Sequence, residues 1–385
     1  MISSIYNKFR RITSNQLYFP EIDGIRFIAI TLVILFHTHG YFAEKSTRFT
    51  NEQKYAGWLN TLLDNGDRGV ELFFVLSGFI LCLPFAQQYL NGGKKMSLKK
   101  YYLRRLTRLE PPYFIAMTLI FILQLAAKTG SLNTLLPHWL ASLIYSHDLI
   151  YHHTPLITVV AWSLEIEIQF YLVAPFLFRL LELPAIARRS ILLSAIILII
   201  CYQVTIPKTF LNISGFAQYF LTGILLADFY VTNTAADKFN KQWVLPASLL
   251  CFIIICYLPL KSAVMPAYQN FLARISLCMS IGLFYYMILE NSSLKKLFSY
   301  KFIPIIGGMC YSIYLLHYSI ISFAGRFTIK IPGTGYYLPD LMVQITLLCI
   351  PILFISSVFY FFIERPFMSS KWMDMLLKKD KNVSE

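Results

Sequence analysis

Long apolar runs separated by short polar and basic connections dominate this chain. A bilayer span needs roughly 20 mostly apolar residues, and ten runs qualify, at about 22–43, 69–90, 111–128, 158–178, 190–206, 214–230, 243–260, 271–289, 302–323 and 341–363; the fifth and sixth are short. The pattern predicts an all-α integral membrane protein of about ten transmembrane helices. An even count puts both termini on one side of the membrane. Segments on that side hold 23 of the 34 lysines and arginines, the opposite connections 9, and Arg26 and Arg274 lie inside runs. Because cytoplasmic connections carry the excess of Lys and Arg, both termini are expected in the cytoplasm.

No internal repeat or low-complexity tract is visible. The expected organisation is a cytoplasmic N-terminal segment (1–21), one membrane domain (22–363) and a short basic cytoplasmic tail (364–385). The longest outer connection contains a stretch at 135–145, with Trp139 inside it, that reads equally as a helix on the membrane surface or as a loop.

Composition removes the main alternatives. At 57% hydrophobic and 14% charged, the chain falls well short of the roughly 25% charge of soluble domains, and a mean hydropathy of +0.57 excludes disorder. The net charge of +14 sits in short segments between apolar runs, which orients a membrane protein and does not track nucleic-acid phosphates. All seven cysteines fall inside apolar runs without a CxxC pair and read as small core residues, neither disulfides nor metal ligands. The first 21 residues lack an apolar core of signal-peptide length, so the first run is expected to be a retained span.

Ionisable groups within spans cost roughly 2.5 to 3.5 kcal/mol each on insertion scales, which makes each a functional candidate: Arg26, His37, His39, Glu71, Glu165, Glu167, Asp228, Arg274 and His317. Depth sorts them. At ~1.5 Å per residue, His37 lies about 22 Å from the cytoplasmic end of the first span, and His317 is similarly deep. Glu71 and Glu167 enter from the outer side, whereas Arg26, Arg104, Arg105, Arg108 and Arg365 gather at the inner surface. A cationic inner mouth below an acid-base centre suits an anionic cytoplasmic ligand that reaches upward. Arg26 and His37 are separated by about three helical turns plus 20°, so they share a face some 16 Å apart. A long ligand with a phosphorylated head and a reactive tip fits that spacing, and acyl-coenzyme A is such a molecule.

Other readings compete at each position. A lone His is often satisfied by a neighbouring helix, and arginines at a span's inner end are common topology signals. His39, His138, His147, His152 and His153 read as ordinary packing or loop residues, since the loop His/Asp group has no fixed metal-ligand spacing. Glu165 and Glu167 differ by about 200° around a helix and cannot face one cavity; Ser163 and Glu167 share a face bordered by Phe170 and Tyr171, which favours Glu167. Tyr311, Tyr314 and Tyr318 with His317 form a polar-aromatic stripe that helix packing alone explains equally well.

Six blocks in order resemble the acyltransferase-3 family of integral membrane proteins, which move acyl groups from cytoplasmic acyl-coenzyme A to extracytoplasmic glycans and related acceptors. They are Glu21-Ile22-Asp23-Gly24-Ile25-Arg26 running on to His37; Gly69-Val70-Glu71-Leu72-Phe73-Phe74-Val75-Leu76-Ser77-Gly78-Phe79, with Glu71 where the family often has Asp; and Arg105-x-x-Arg108. Trp162-Ser163-Leu164 with Glu167, Phe170 and Tyr171 follows, then Tyr311-Ser312, Tyr314 and His317, then Glu364-Arg365-Pro366. The likeness covers nearly the whole chain. It implies His37 as the catalytic histidine and Arg26, Arg105 and Arg108 as donor-binding residues. Some relatives carry a secreted hydrolase-like domain after the last span; since this chain stops, acceptor handling is expected in the membrane domain.

The function expected is an O-acyltransferase, in the first instance an O-acetyltransferase, using acyl-CoA (acetyl-CoA) and no metal. The acceptor is a hydroxyl of an extracytoplasmic glycan or glycolipid such as a lipopolysaccharide, O-antigen or exopolysaccharide, and the site is the bacterial inner (plasma) membrane. His37 is the expected general base, Glu71 or Glu167 holds the imidazole tautomer or the acceptor, and Ser77 or a tyrosine hydroxyl faces the developing oxyanion. Tyr171, Tyr311, Tyr314 and His317 are the expected substrate contacts. A covalent acyl-enzyme on His37, Ser77 or a tyrosine is an open variant. The rival from another class is a proton-coupled transporter of an anionic solute, which would show repeats and interrupted helices; a structural partner in glycan assembly leaves the Arg26–His37 alignment unexplained.

Overall fold

The computed structural model describes Arg11 and residues 18–46, 57–206, 210–233, 242–260 and 265–369. These form an all-helical protein: α1 Pro20–Lys45, α2 Gly57–Asp64, α3 Gly69–Asn91, α4 Leu98–Ala126, α5 Leu132–Leu143, α6 His147–Tyr151, α7 Ala161–Leu177, α8 Ala185–Thr205, α9 Ala217–Thr232, α10 Val244–Tyr257, α11 Ala267–Glu290, α12 Ser292–Phe298, α13 Ile303–Gly308, α14 Cys310–Thr328, α15 Tyr337–Phe359 and α16 Arg365–Phe367. The helix ends follow local chemistry. Pro20 opens α1 with Glu21 and Asp23 in its first turn, where a fixed φ and negative charge suit the helix dipole. Ser97 caps α4 and Ser131 caps α5, and α3 stops at Gly92, which adopts the left-handed conformation.

Among the described residues, six helical stretches are long and apolar enough to cross a membrane: Pro20–Lys45, Gly57–Asn91, Leu98–Ala126, Ala185–Thr205, Ala267–Glu290 and Tyr337–Phe367. With large apolar side chains such as Leu123, Leu198, Leu249 and Phe354 more than half exposed, this is a multi-pass integral membrane protein whose outer surface is solvated by lipid. The other four expected spans coincide with the shorter or less apolar α7, α9, α10 and α14.

Two departures from the expected pattern bear on the site. The run at 302–323 is not one helix: it breaks at Met309 into α13 and α14. Gly307 packs directly on the backbone of Asp23, too close for any side chain, so the Gly307-Gly308 pair serves contact with α1 at the cost of helix propensity. At the C-terminal end, the boundary expected at Ile363 falls inside helical structure, because α15 passes through a π-turn at Tyr360–Glu364 into α16. Pro366 supplies the cause, since it has no N–H to offer Phe362 and its ring crowds that carbonyl.

α1 is the hub, packed against α3, α13 and α14, while α3 lies along α9. The α3–α9 crossing needs glycine on both sides: a side chain at Gly78 would strike the Phe220 backbone, and one at Gly223 would strike Val75 and Phe79. Small residues of this kind let membrane helices approach and gain dispersion contacts that apolar burial does not provide in lipid. The residues 135–145 are mostly helical: α5 presents Leu132, Leu136 and Leu140 outward, as does Ile144 just after it, while Trp139 stacks on Phe121 at 5.0 Å.

Candidate active site

A cavity of about 350 Å³ lies between α1, α3, α4, α7 and α14. One end is lined by Arg11, Arg26, Arg104, Arg105 and Arg108 against Asp23 and Glu364, and the far end by Phe73, Ser163 and Tyr314. Of the residues expected in the site, Arg26, Ser77, Arg105, Arg108, Glu167, Tyr171, Tyr311 and Tyr314 all line it. The arginines are held in different ways. Arg26 and Arg11, the latter at 3.4 Å, converge on the buried Asp23, and Arg105 lies between the rings of Tyr101 and Tyr171, 5.9 and 5.8 Å from their centroids. The Nε atoms of Arg104 and Arg105 are buried without a hydrogen-bond partner among the described residues. A buried guanidinium N–H costs free energy unless paired, so these two arginines have capacity left for an anionic ligand.

Ser77 Oγ donates to Glu167 Oε1 at 2.5 Å, which joins α3 to α7 in the cavity wall. Above it, Ser163 Oγ and Tyr314 Oη share a hydrogen bond of 2.6 Å. Tyr311 Oη instead donates to the Leu109 carbonyl at 2.9 Å, so this ring shapes the wall and its hydroxyl is already spent.

His37 and His317 do not line this cavity. They meet beside its far end, where Tyr314 and His317 have ring centroids 5.6 Å apart. His317 Nδ1 lies 3.0 Å from the Ile313 carbonyl and 2.8 Å from that of Tyr314. Both are acceptors, so Nδ1 carries the hydrogen and Nε2 of the neutral ring is an acceptor. That Nε2 is 3.2 Å from His37 Nδ1, which also faces the Val33 carbonyl at 3.0 Å. His37 Nδ1 is therefore the donor, and its Nε2 is left with the lone pair a general base requires. The group that fixes the His37 tautomer is His317 together with Val33, rather than Glu71 or Glu167.

The remaining expected candidates are placed elsewhere. Glu71 is within electrostatic reach of Tyr219 and Cys278 and off the cavity lining. Glu165 accepts from the backbone N–H groups of His147 and Asp148 at 3.2 and 3.0 Å, capping α6. Asp228 pairs with Arg188 and Arg189, and Arg274 bonds Asn270 and Gln203. Among the described residues, no group of three or more His, Cys, Asp or Glu side chains is arranged to hold a metal ion. The shared face of Arg26 and His37 is not an open track, because Ala29, Ile30 and Val33 between them are fully buried and Gly69 packs on the Ala29 carbonyl. The cavity rises instead between α3, α7 and α14.

Asp23 and Glu364 were not among the expected site residues. Asp23 had a legible signal, three residues before Arg26 on a helix, the spacing of an ion pair. Glu364, which accepts from the Ser312 N–H at 3.0 Å and from its hydroxyl, reaches the cavity only through the π-turn.

Residues 19–361 match the family model described as an acyltransferase domain. The chain belongs to the acyltransferase-3 family. It is 28% identical over 402 aligned residues to the peptidoglycan O-acetyltransferase OatA of Listeria monocytogenes, covering 96% of this chain and 59% of that protein. A putative O-acetyltransferase of Staphylococcus aureus strain COL is 25% identical over 379 residues, covering 91% and 57%, and the O-acetyltransferase OatA of S. aureus strain NCTC 8325 is 24% identical over 374 residues with the same coverage. The chain thus spans a little under three fifths of the length of these curated relatives. No solved structure matches it at a significant level.

Proposed function

We propose that this protein is a membrane O-acetyltransferase that takes acetyl from cytoplasmic acetyl-coenzyme A and places it on a hydroxyl of an extracytoplasmic glycan at the bacterial plasma membrane. The observation that carries this reading is the polarity of the cavity, with five arginines at one end and a hydroxyl pair beside two linked imidazoles at the other. The phosphates of the donor lie against Arg104, Arg105 and Arg108, and the pantetheine arm runs up past Ser77 and Glu167. The thioester then sits near Ser163 and Tyr314.

The acceptor oxygen bonds to the thioester carbonyl carbon while its proton passes to His37 Nε2. The Tyr314 or Ser163 hydroxyl donates to the carbonyl oxygen as negative charge develops. The carbon–sulfur bond then breaks, and the departing thiolate takes the proton from the imidazolium, leaving free coenzyme A and an O-acetyl ester. Peptidoglycan is the glycan named for the Listeria relative and is the first acceptor to try.

The test uses purified full-length protein, radiolabelled acetyl-CoA and peptidoglycan glycan strands. Transfer that depends on His37, with His37→Ala still binding coenzyme A, is the expected result. Near-normal transfer by a folded His37→Ala protein moves the chemistry to another residue.

A further inference from the structure

The arginines and the hydroxyl pair of the cavity have roles in the reading above, but the apolar side chains that close its far end have none. Beyond Ser77 and Glu167 the α3 wall continues with Phe74, Phe73 and Val70, and α7 adds Leu164 beside Ser163. The lining goes no further: on α14 it stops at Tyr314, and His317, on the next turn, lies outside it. Val70, Phe74, Leu164 and Tyr314 are buried, whereas Phe73 is partly exposed. Since Phe73 lines the cavity, its free surface faces that space. Its ring meets Tyr314 edge-on, with centroids 6.1 Å apart at 82°.

Both sides of this cap are anchored. Tyr314 Oη shares the 2.6 Å hydrogen bond with Ser163 Oγ and lies 3.3 Å from the Val160 carbonyl. On α3 both chain neighbours of Phe73 are fixed. Tyr285 Oη donates to the Leu72 carbonyl at 2.9 Å, and Phe74 packs on Trp162, Phe216 and Phe220 with centroids 6.4, 5.4 and 4.7 Å away. One turn earlier, Gly69 sits against the Ala29 carbonyl. A close-packed wall of this kind answers an extra methylene with strain, not with movement.

Thioester stereochemistry determines which part of the donor meets this wall. The carbonyl carbon is trigonal, with sulfur, oxygen and the acyl carbon in one plane. Its sulfur ends the arm that runs past Ser77 and Glu167, and its oxygen faces the Ser163–Tyr314 pair. The acyl carbon is then directed away from the arm, toward Phe73. An apolar cap suits a methyl group and offers no partner to a charged acyl group.

We propose that Phe73 fixes the acyl chain length: its ring is the stop against which the acetyl methyl rests, and longer unbranched acyl groups such as butyryl are excluded. The inference rests on the acetyltransferase reading above and adds to it the residue that selects the acyl group.

The experiment measures by calorimetry the Kd of coenzyme A, acetyl-CoA and butyryl-CoA for the full-length parent, Phe73→Leu and Phe73→Ala in nanodiscs, with no acceptor added. The parent should bind butyryl-CoA at least about tenfold more weakly than acetyl-CoA, the least that a surplus methylene costs in a closed apolar pocket. Phe73→Ala should reverse that order, butyryl-CoA gaining about tenfold over acetyl-CoA through added apolar contact, and Phe73→Leu should fall between. Coenzyme A itself, which carries no acyl group, should bind all three proteins within about twofold. The butyryl-to-acetyl ratio is taken within one preparation, so a loss of folded protein leaves it unchanged. A parent without discrimination, or the parental ratio retained in both variants, overturns the proposal. So does an equal loss of affinity for all three ligands in the variants, which makes Phe73 a packing residue only. A parent that binds no coenzyme A overturns the acetyltransferase reading itself, and this inference with it.

Discussion

Replacing His317 separates its role from that of His37. In the folded protein His37 Nδ1 has two acceptors, the Val33 carbonyl at 3.0 Å and His317 Nε2 at 3.2 Å. His317→Ala removes one of them and leaves the other. A hydrogen bond of this kind contributes about 0.5 to 1.5 kcal/mol net, so if all of it serves to hold the ring and its tautomer, kcat should fall roughly 2- to 12-fold. His37→Ala removes the base and should cost about 10²- to 10⁴-fold. The assay is transfer of radiolabelled acetyl from acetyl-CoA at saturating donor, with coenzyme A affinity and thermal midpoint measured on the same preparations. His317 is fully buried, and truncation leaves a cavity that lowers the midpoint. His317→Gln fills most of that space and restores an acceptor oxygen, so it should recover activity ahead of His317→Ala. A folded His317→Ala protein with normal coenzyme A binding and a loss beyond about 10²-fold would show that His317 itself meets the reacting atoms. An unchanged kcat would remove it from the site.

Arg105→Ala and Arg108→Ala should each weaken coenzyme A about 10- to 100-fold, the range for a charge-assisted hydrogen bond, read by calorimetry; unchanged affinity in both single mutants and the double mutant removes them from the donor site. Gly223→Ala should lower the thermal midpoint by the equivalent of about 1 to 3 kcal/mol, because the added carbon meets the α3 backbone, whereas Gly40→Ala, with open space around it, should leave the midpoint unchanged or raised. On the connection between α4 and α7, burial and then the neighbouring His138 and His153 push His147 down to about 4. Its folded value lies below the ordinary value of 6.5, so its contribution is complete above about 6.5 and is lost as pH falls toward 4. Thermal midpoints measured across that window should drop for the parent and drop less for His147→Gln; parallel curves would remove His147 as the cause.

Much of the architecture was legible because a bilayer imposes a one-dimensional rule: apolar runs of sufficient length form helices, and buried charge marks function. Arg26, Arg105, Arg108, Ser77 and Glu167, which line the cavity, and the two histidines, which meet beside it, were singled out in this way and through the motifs they belong to. Helical spacing alone also separated Glu167, which faces the cavity, from Glu165, which caps α6. What spacing cannot encode is which helices touch. The shared face of Arg26 and His37 suggested a track along α1, but Gly69 brings α3 onto that face and fills it, so the cavity rises between other helices. The partner that fixes the His37 tautomer is 280 positions away in the chain. Only the approach of α13 and α14 to α1, made possible where Gly307 and Gly325 lack side chains, brings it within hydrogen-bonding distance. The sequence determined which residues must avoid lipid; the tertiary packing decided which of them meet, because hydrogen bonds depend on separations of about 3 Å that no single helix can set.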